Sequence, residues 1–115
     1  MPISLDEAVS IFLANLTPGE INQSVAYVAT QVVTGKSLKF PRISIIVPWH
    51  GFIAFVDRDP LANWSHSCRY ILLNNETAEI RSFEAKFPPF HNDQMRWRVI
   101  FKAPSIPAEV VAIKD

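Results

Sequence analysis

The spacing of hydrophobic residues changes along this chain from helical to alternating, and this change restricts the folds that it can form. Near the start, apolar residues recur three or four positions apart, behind an S-x-x-E capping box formed by Ser4 and Glu7. The pattern predicts a helix that ends at Thr17-Pro18-Gly19. Its apolar face consists of Leu5, Ala8, Val9, Phe12, Leu13 and Leu16.

The segment from residue 18 to 34 fits either a helix or a strand. Thr17 and Glu20 form a second capping box with Pro18 at the first helical position, and Gly35 is a natural stop. The many β-branched residues would suit a strand equally well. Because apolar residues fall on both sides of an extended chain and strict alternation fails, we predict a second helix over 18–34.

From residue 40 onward the hydrophobic period becomes two, which is typical of strands. Residues 43–47 and 51–57 are apolar on both faces and flank Pro48-Trp49-His50-Gly51. We therefore predict two central antiparallel strands joined by a tight turn.

A second hairpin and a further strand follow. Residues 69–73 and 78–83 flank Asn74-Asn75-Glu76-Thr77, whose residue types suit a turn. Residues 95–102 alternate apolar and mainly basic side chains, which predicts a half-buried strand with a basic outer face.

Helices first and strands after them predict an α+β fold. We expect one or two N-terminal helices packed on one face of an antiparallel sheet of about five strands. The length of 115 residues predicts a single domain over 1–115. The tail, 104–115, has two prolines and is expected to form an edge strand or a linker.

Charge and cysteine content narrow the classes of function. Eleven basic residues balance eleven acidic ones, so we expect no nucleic-acid partner. The start, MPISLDEA, lacks the features of a signal peptide, and no apolar run is long enough to span a membrane. A lone cysteine favours a reducing compartment. We expect a cytoplasmic protein without membrane association, or a domain of a longer protein whose leader has been removed.

The stretch NWSHSCRY, residues 63–70, is the densest cluster of reactive side chains. A small cysteine-dependent enzyme would use Cys68 as its nucleophile and a histidine as base. The histidines available are His50, His66 and His91. A zinc site built from the same residues would lack the second close ligand pair of structural zinc sites. The alternative is a structural loop with Cys68 as a buried hydrophobe, and we assign no catalytic residue, metal or cofactor.

Three aromatic residues, Trp64, Phe87 and Phe90, lie in two long predicted loops, 57–67 and 86–94. Together with the turn at 48–51 they would form one recognition surface if all three lie at the same end of the sheet, because aromatic anchors dominate interface energetics. The alternative is that each packs separately on the core. The candidate binding residues are Trp49, Trp64, His66, Phe87 and Phe90.

Two segments, ISLDEAVSIFLANL and RYILLNNETAEI, resemble the first helix and the late hairpin of small bacterial PepSY-type propeptide domains, and the first also resembles YrhB-like immunity proteins. The hairpin turn differs, since this chain has Asn74-Asn75-Glu76-Thr77 where the PepSY type prefers an aspartate and a glycine. The resemblance implies a non-catalytic domain that binds or inhibits another protein, and it transfers no catalytic residue.

We therefore predict a non-enzymatic protein-binding domain that acts as an inhibitor, a propeptide-like module or an immunity-type partner. The expected partner is another protein, and a homo-oligomer is also compatible with the sequence. Two alternatives stay open at this point. One is the cysteine-dependent enzyme, and the other is a small-molecule pocket between the helices and a curved sheet.

Overall fold

Helices come first and strands follow in the computed structural model, which describes residues 2–33, 37–40, 43–60, 67–87, 89 and 96–108, with the backbone alone for 37–40 and Ile43. Two helices and seven strands lie within these ranges. In chain order they are α1 (Leu5–Ala14), α2 (Pro18–Gln23), β1 (Val25–Ala29), β2 (Ser37–Phe40), β3 (Ile43–Ile46), β4 (Gly51–Asp57), β5 (Cys68–Asn74), β6 (Ile80–Ala85) and β7 (Trp97–Lys102).

Five of these strands form one antiparallel sheet in the order β6-β5-β4-β1-β7, and β2 pairs separately with β3. The predicted capping box is present, since the Ser4 side chain accepts from the Glu7 backbone N–H, and α1 begins directly after it. Helix α1 lies on the sheet, against β4 and β7. This confirms the predicted α+β fold. None of the described helices is long and apolar enough to cross a membrane.

Hydrophobic side chains cover both faces of the sheet. On one face, Phe12 of α1 packs with residues from the sheet strands. On the other, a row of aromatic rings runs across four adjacent strands, with centroids 5.9 Å apart for Tyr27 and Phe55, 5.1 Å for Phe55 and Tyr70, and 5.4 Å for Tyr70 and Phe83. Strands covered on both faces have continuous apolar sequences, as β1 and β4 do.

The second predicted helix, over 18–34, is wrong beyond Gln23. Helix α2 has the predicted capping box, with the Thr17 N–H donating to Glu20 Oε1 at 2.8 Å. It stops at Ser24, which has an extended backbone, and β1 follows with all five residues buried. β1 pairs with β4 on one side and β7 on the other. Its β-branched residues and this pairing on both edges outweigh the helical spacing.

The predicted pairing of 43–47 with 51–57 is also wrong. β3 pairs with β2, while both edges of β4 are occupied by β1 and β5. At the start of β4, Gly51 exchanges two backbone hydrogen bonds with Val33, at 2.7 and 2.9 Å. β3 therefore pairs with the strand directly before it in the chain, and β4 pairs with β1 and β5 in the main sheet.

The second predicted hairpin and the last strand are confirmed. β5 pairs with β6 around the predicted turn, although β6 begins at Ile80 because Ala78 adopts a left-handed backbone conformation, with φ 63°. β7 is buried at Trp97 and half-buried along the rest of its length. Residues 104–108 contain turns, and the remainder of the predicted edge strand or linker lies outside the described residues.

Candidate functional site

One end of the sheet gathers several chain segments, and we call it the loop end. β4 ends here at Asp57, which pairs with Cys68 at the start of β5, and Cys68 pairs in turn with Ala85 at the end of β6. β1 also begins here, since Val25 pairs with Asp57, so α2 lies at the same end. The loops predicted over 57–67 and 86–94 therefore both begin at the loop end. The opposite end, at Gly51 and its partner Asn74, is called the turn end.

An open cleft of about 420 Å³ lies at the loop end. This volume falls in the range of small-molecule sites and is sufficient for a side chain from another protein. The lining combines two mainly apolar residues with four polar or charged ones. The residues are Gln23, Arg58, Asp59, Pro60, Ser67 and Ile106.

Beside the cleft, four charged side chains form an ion-pair cluster around Glu20, which is 2% exposed. Arg69 donates to both carboxylate oxygens of Glu20, at 2.8 and 3.0 Å. Arg58 donates to Glu20 through Nε at 2.9 Å, and its Nη1 and Nη2 atoms both donate to Glu84. Paired, hydrogen-bonded arrangements of this kind are what allow a charge to stay buried.

The ion-pair cluster sets the protonation state of Glu20. Burial, the largest single influence, raises the pKa of Glu20, but hydrogen bonds from Thr17, Arg58 and Arg69 and the charge of Arg69 together lower it below the ordinary value of 4.5. For Arg58, burial lowers the pKa, and the bonds and charges of Glu84 and Glu20 outweigh it, so the pKa is raised. Glu20 and Arg58 are therefore both ionised at neutral pH.

Cys68 is completely buried at the start of β5. Its Sγ donates to the backbone carbonyl of Phe87 at 3.7 Å, and the Tyr70 hydroxyl donates to the same carbonyl at 2.8 Å. Burial raises the pKa of the Cys68 thiol to about 12, with a further contribution from the charge of Asp57. Since only the thiolate is a nucleophile, this thiol is unreactive at neutral pH.

The structure does not bring Cys68 and His50 together. His50 is exposed and precedes Gly51 at the turn end, whereas Cys68 lies at the loop end, so the length of β4 separates them by about 20 Å at roughly 3.3 Å per residue. They cannot share a catalytic or zinc site in this fold. The other two histidine candidates, His66 and His91, lie outside the described residues. Within the described ranges, no three potential ligands form a metal-binding group.

The predicted aromatic surface is also divided. Trp49 is half-buried at the turn end, where the Arg81 guanidinium lies 5.2 Å from its ring centroid. Phe87 is at the loop end, held through its carbonyl by Tyr70. Trp49 and Phe87 therefore do not belong to one contact surface. The remaining candidates, Trp64, His66 and Phe90, lie outside the described residues.

The charged residues that the structure places at the loop end are not among the predicted site residues. The capping box identified Glu20 as a helix residue, but nothing in it indicates that Arg58 and Arg69 bind this carboxylate. A usable signal was the run Asp57-Arg58-Asp59-Pro60 at the end of an apolar strand, where polar residues commonly line a site on a rigid scaffold.

Comparisons of the chain with protein-family models, curated proteins and solved structures found no match. The resemblance to PepSY-type and immunity domains therefore stays a prediction.

Proposed function

We propose that this chain is a non-enzymatic protein-binding domain of the inhibitor, propeptide-like or immunity type, and that it binds its partner through the loop end. The observation that carries the proposal is the open cleft at this end, which is lined by α2, by both ends of the 57–67 loop and by the turn after β7. Binding residues are often found on loops that a rigid scaffold positions.

The two strands that the 57–67 loop joins are held firmly within the sheet. β4 and β5 are paired on both edges and lie in the middle of the sheet. The start of the 86–94 loop is fixed by the hydrogen bonds of Cys68 and Tyr70 to the Phe87 carbonyl. A residue that is already held in place loses little conformational entropy on binding, which favours affinity. Phe87 is accordingly the candidate aromatic anchor within the described residues, and Trp64 and Phe90 are candidates from the sequence.

The two alternatives differ in their support. A nucleophilic Cys68 has none within the described residues, because its thiol is buried, its pKa is raised and His50 is distant. Small-molecule binding has a specific observation in its favour, the volume of the cleft. That cleft lies at the loop end, whereas the sequence predicted a pocket between the helices and the sheet. Small-molecule binding at the loop end is therefore the second candidate function.

The test is to capture a partner with the tagged chain from lysate of the source organism, purify that partner and measure the affinity by calorimetry. Two variants change the loop end, Trp64→Ala and Ser67→Trp, and Ser44→Trp changes an exposed serine on β3. We expect the loop-end variants to weaken binding about tenfold or more, as for an anchor residue, and Ser44→Trp to bind like the wild type. Circular dichroism and urea denaturation check that each variant is folded.

Two outcomes would contradict the proposal. One is that no stoichiometric partner is retained by the wild-type chain. The other is a purified complex whose affinity is unchanged by both loop-end variants, since the partner would then bind elsewhere.

A further inference from the structure

The cleft at the loop end offers an acidic side chain that is not engaged in an ion pair with a described residue. Asp59 lines the cleft and is exposed. Its backbone N–H donates to Asp57 Oδ1 at 3.1 Å, but its own carboxylate makes no hydrogen bond or ion pair with a described residue. The charge that the cleft presents to a ligand is therefore negative at this position.

The other charged residue of the lining, Arg58, is already engaged. Its three nitrogen atoms donate to the carboxylates of Glu20 and Glu84, and Nη1 also lies 3.5 Å from Ser67 Oγ. A phosphate or carboxylate ligand would find one Nη2 N–H of Arg58 without a partner among the described residues, would compete with Glu20 and Glu84 for the other N–H groups, and would lie near Asp59. The cleft therefore disfavours an anion despite its arginine.

The remaining lining suits a long side chain with a cationic end. Pro60 and Ile106 offer apolar surface for an aliphatic stem, and Gln23 and Ser67 carry oxygen atoms that accept hydrogen bonds. The nearby Lys102 ammonium donates to the carbonyl oxygens of Ala103 and Ile106. Lys102 is therefore held on the turn that follows β7.

We propose that the cleft binds a lysine or arginine side chain of the partner protein, with the cationic group on the Asp59 carboxylate and the stem against Pro60 and Ile106. This inference rests on the proposed function and specifies the chemistry of its contact. Long basic side chains combine an apolar stem with a charged end, which matches this lining. Because the pair is partly exposed to solvent, its contribution to binding decreases as salt concentration rises.

The first test uses a small probe on the whole chain. N-acetyl-lysine methylamide is titrated into the ¹⁵N-labelled protein, and N-acetyl-norleucine methylamide serves as a control with the stem but no ammonium. We expect saturable amide shifts at Gln23, Asp59 and Ser67 with the lysine probe, and affinity about tenfold weaker or absent with norleucine. Asp59→Asn is expected to remove the lysine response, whereas Glu76→Gln, at the turn end, leaves it unchanged.

A second titration uses inorganic phosphate. If phosphate shifts the same amides at lower concentration than the lysine probe, or if lysine and norleucine act equally, the cleft does not recognise a cation and the inference is overturned. Equal lysine binding by the wild type and Asp59→Asn would overturn it as well.

The purified partner separates this inference from the proposed function. We expect Asp59→Asn to weaken the partner complex about fivefold to tenfold and to reduce its salt dependence, while Glu76→Gln changes neither. A partner that binds wild type and Asp59→Asn equally would contradict the inference and leave the binding function intact. Failure to retain any partner would instead contradict the proposed function, and the probe titrations would still report on the chemistry of the cleft.

Discussion

Arg69 binds Glu20 through two parallel hydrogen bonds, Nη2 to Oε1 at 2.8 Å and Nε to Oε2 at 3.0 Å. The two residues are 49 positions apart in the chain and belong to β5 and α2. Glu20 also closes the capping box of α2 and binds Arg58 after β4. A single buried carboxylate thus ties α2 to two strands of the sheet and positions Gln23, the α2 residue that lines the cleft.

Glu20→Ala is expected to lower the free energy of unfolding by about 3 kcal/mol, because it leaves the largely buried Arg69 guanidinium without its carboxylate partner and removes the Glu20 half of the capping box. Urea denaturation measures the change. Glu79→Ala is the matched control, since the Glu79–Arg81 pair is exposed and 3.5 Å apart, and it should cost less than about 0.5 kcal/mol. Equal effects of the two substitutions would show that the ion-pair cluster does not stabilise the fold.

The lowered pKa of Glu20 predicts a dependence of stability on pH. In the unfolded chain this carboxyl takes up a proton near its ordinary pKa of 4.5, before the folded form does, so acid favours unfolding. The stabilisation is complete above that value and is lost as pH falls through the lower pKa of the folded state. We expect the stability difference between the wild type and Glu20→Gln to shrink below pH 4.5 in urea denaturation series. A constant difference down to strongly acidic pH would contradict the assignment.

Local sequence signals predicted the elements that depend on local contacts. The capping box of Ser4 and Glu7 and the turn after β5 were readable because their partners lie within a few residues. β1 was misassigned because its structure depends on pairing with β4 and β7, which are distant in sequence. The same limit applied to the site, where Glu20 and Arg69 meet only through the tertiary fold.

Cys68 is expected to resist alkylation in the native protein. Its pKa of about 12, against an ordinary value of 9.0, and its burial make the rate with iodoacetamide at about pH 7.5 at least a hundredfold lower than in urea-unfolded protein. Mass spectrometry of native and unfolded samples over time measures both rates. Native labelling as fast as that of a free cysteine would show an accessible thiolate and would restore the hypothesis of a cysteine nucleophile.

Gly51, the first residue of β4, lies at the turn end. There the backbones of β4 and β5 are so close together that a side chain has no room. A Cβ added there would lie 1.7 Å from the Leu73 carbonyl oxygen, which belongs to the paired backbone of β5 and cannot move without breaking the sheet. We expect Gly51→Ala to lower the free energy of unfolding by about 3 kcal/mol, at the upper end of overpacking costs.

Gly19→Ala is the matched control for this substitution. At Gly19, in the first turn of α2, the nearest atom to an added Cβ is Thr17 Oγ1 at 4.0 Å, so alanine is accommodated. Alanine also has a higher helix propensity, and we expect stability to be unchanged or raised by up to about 1 kcal/mol. Urea denaturation compares the two variants. A Gly51→Ala protein as stable as Gly19→Ala would contradict the close approach of β4 and β5 at the turn end.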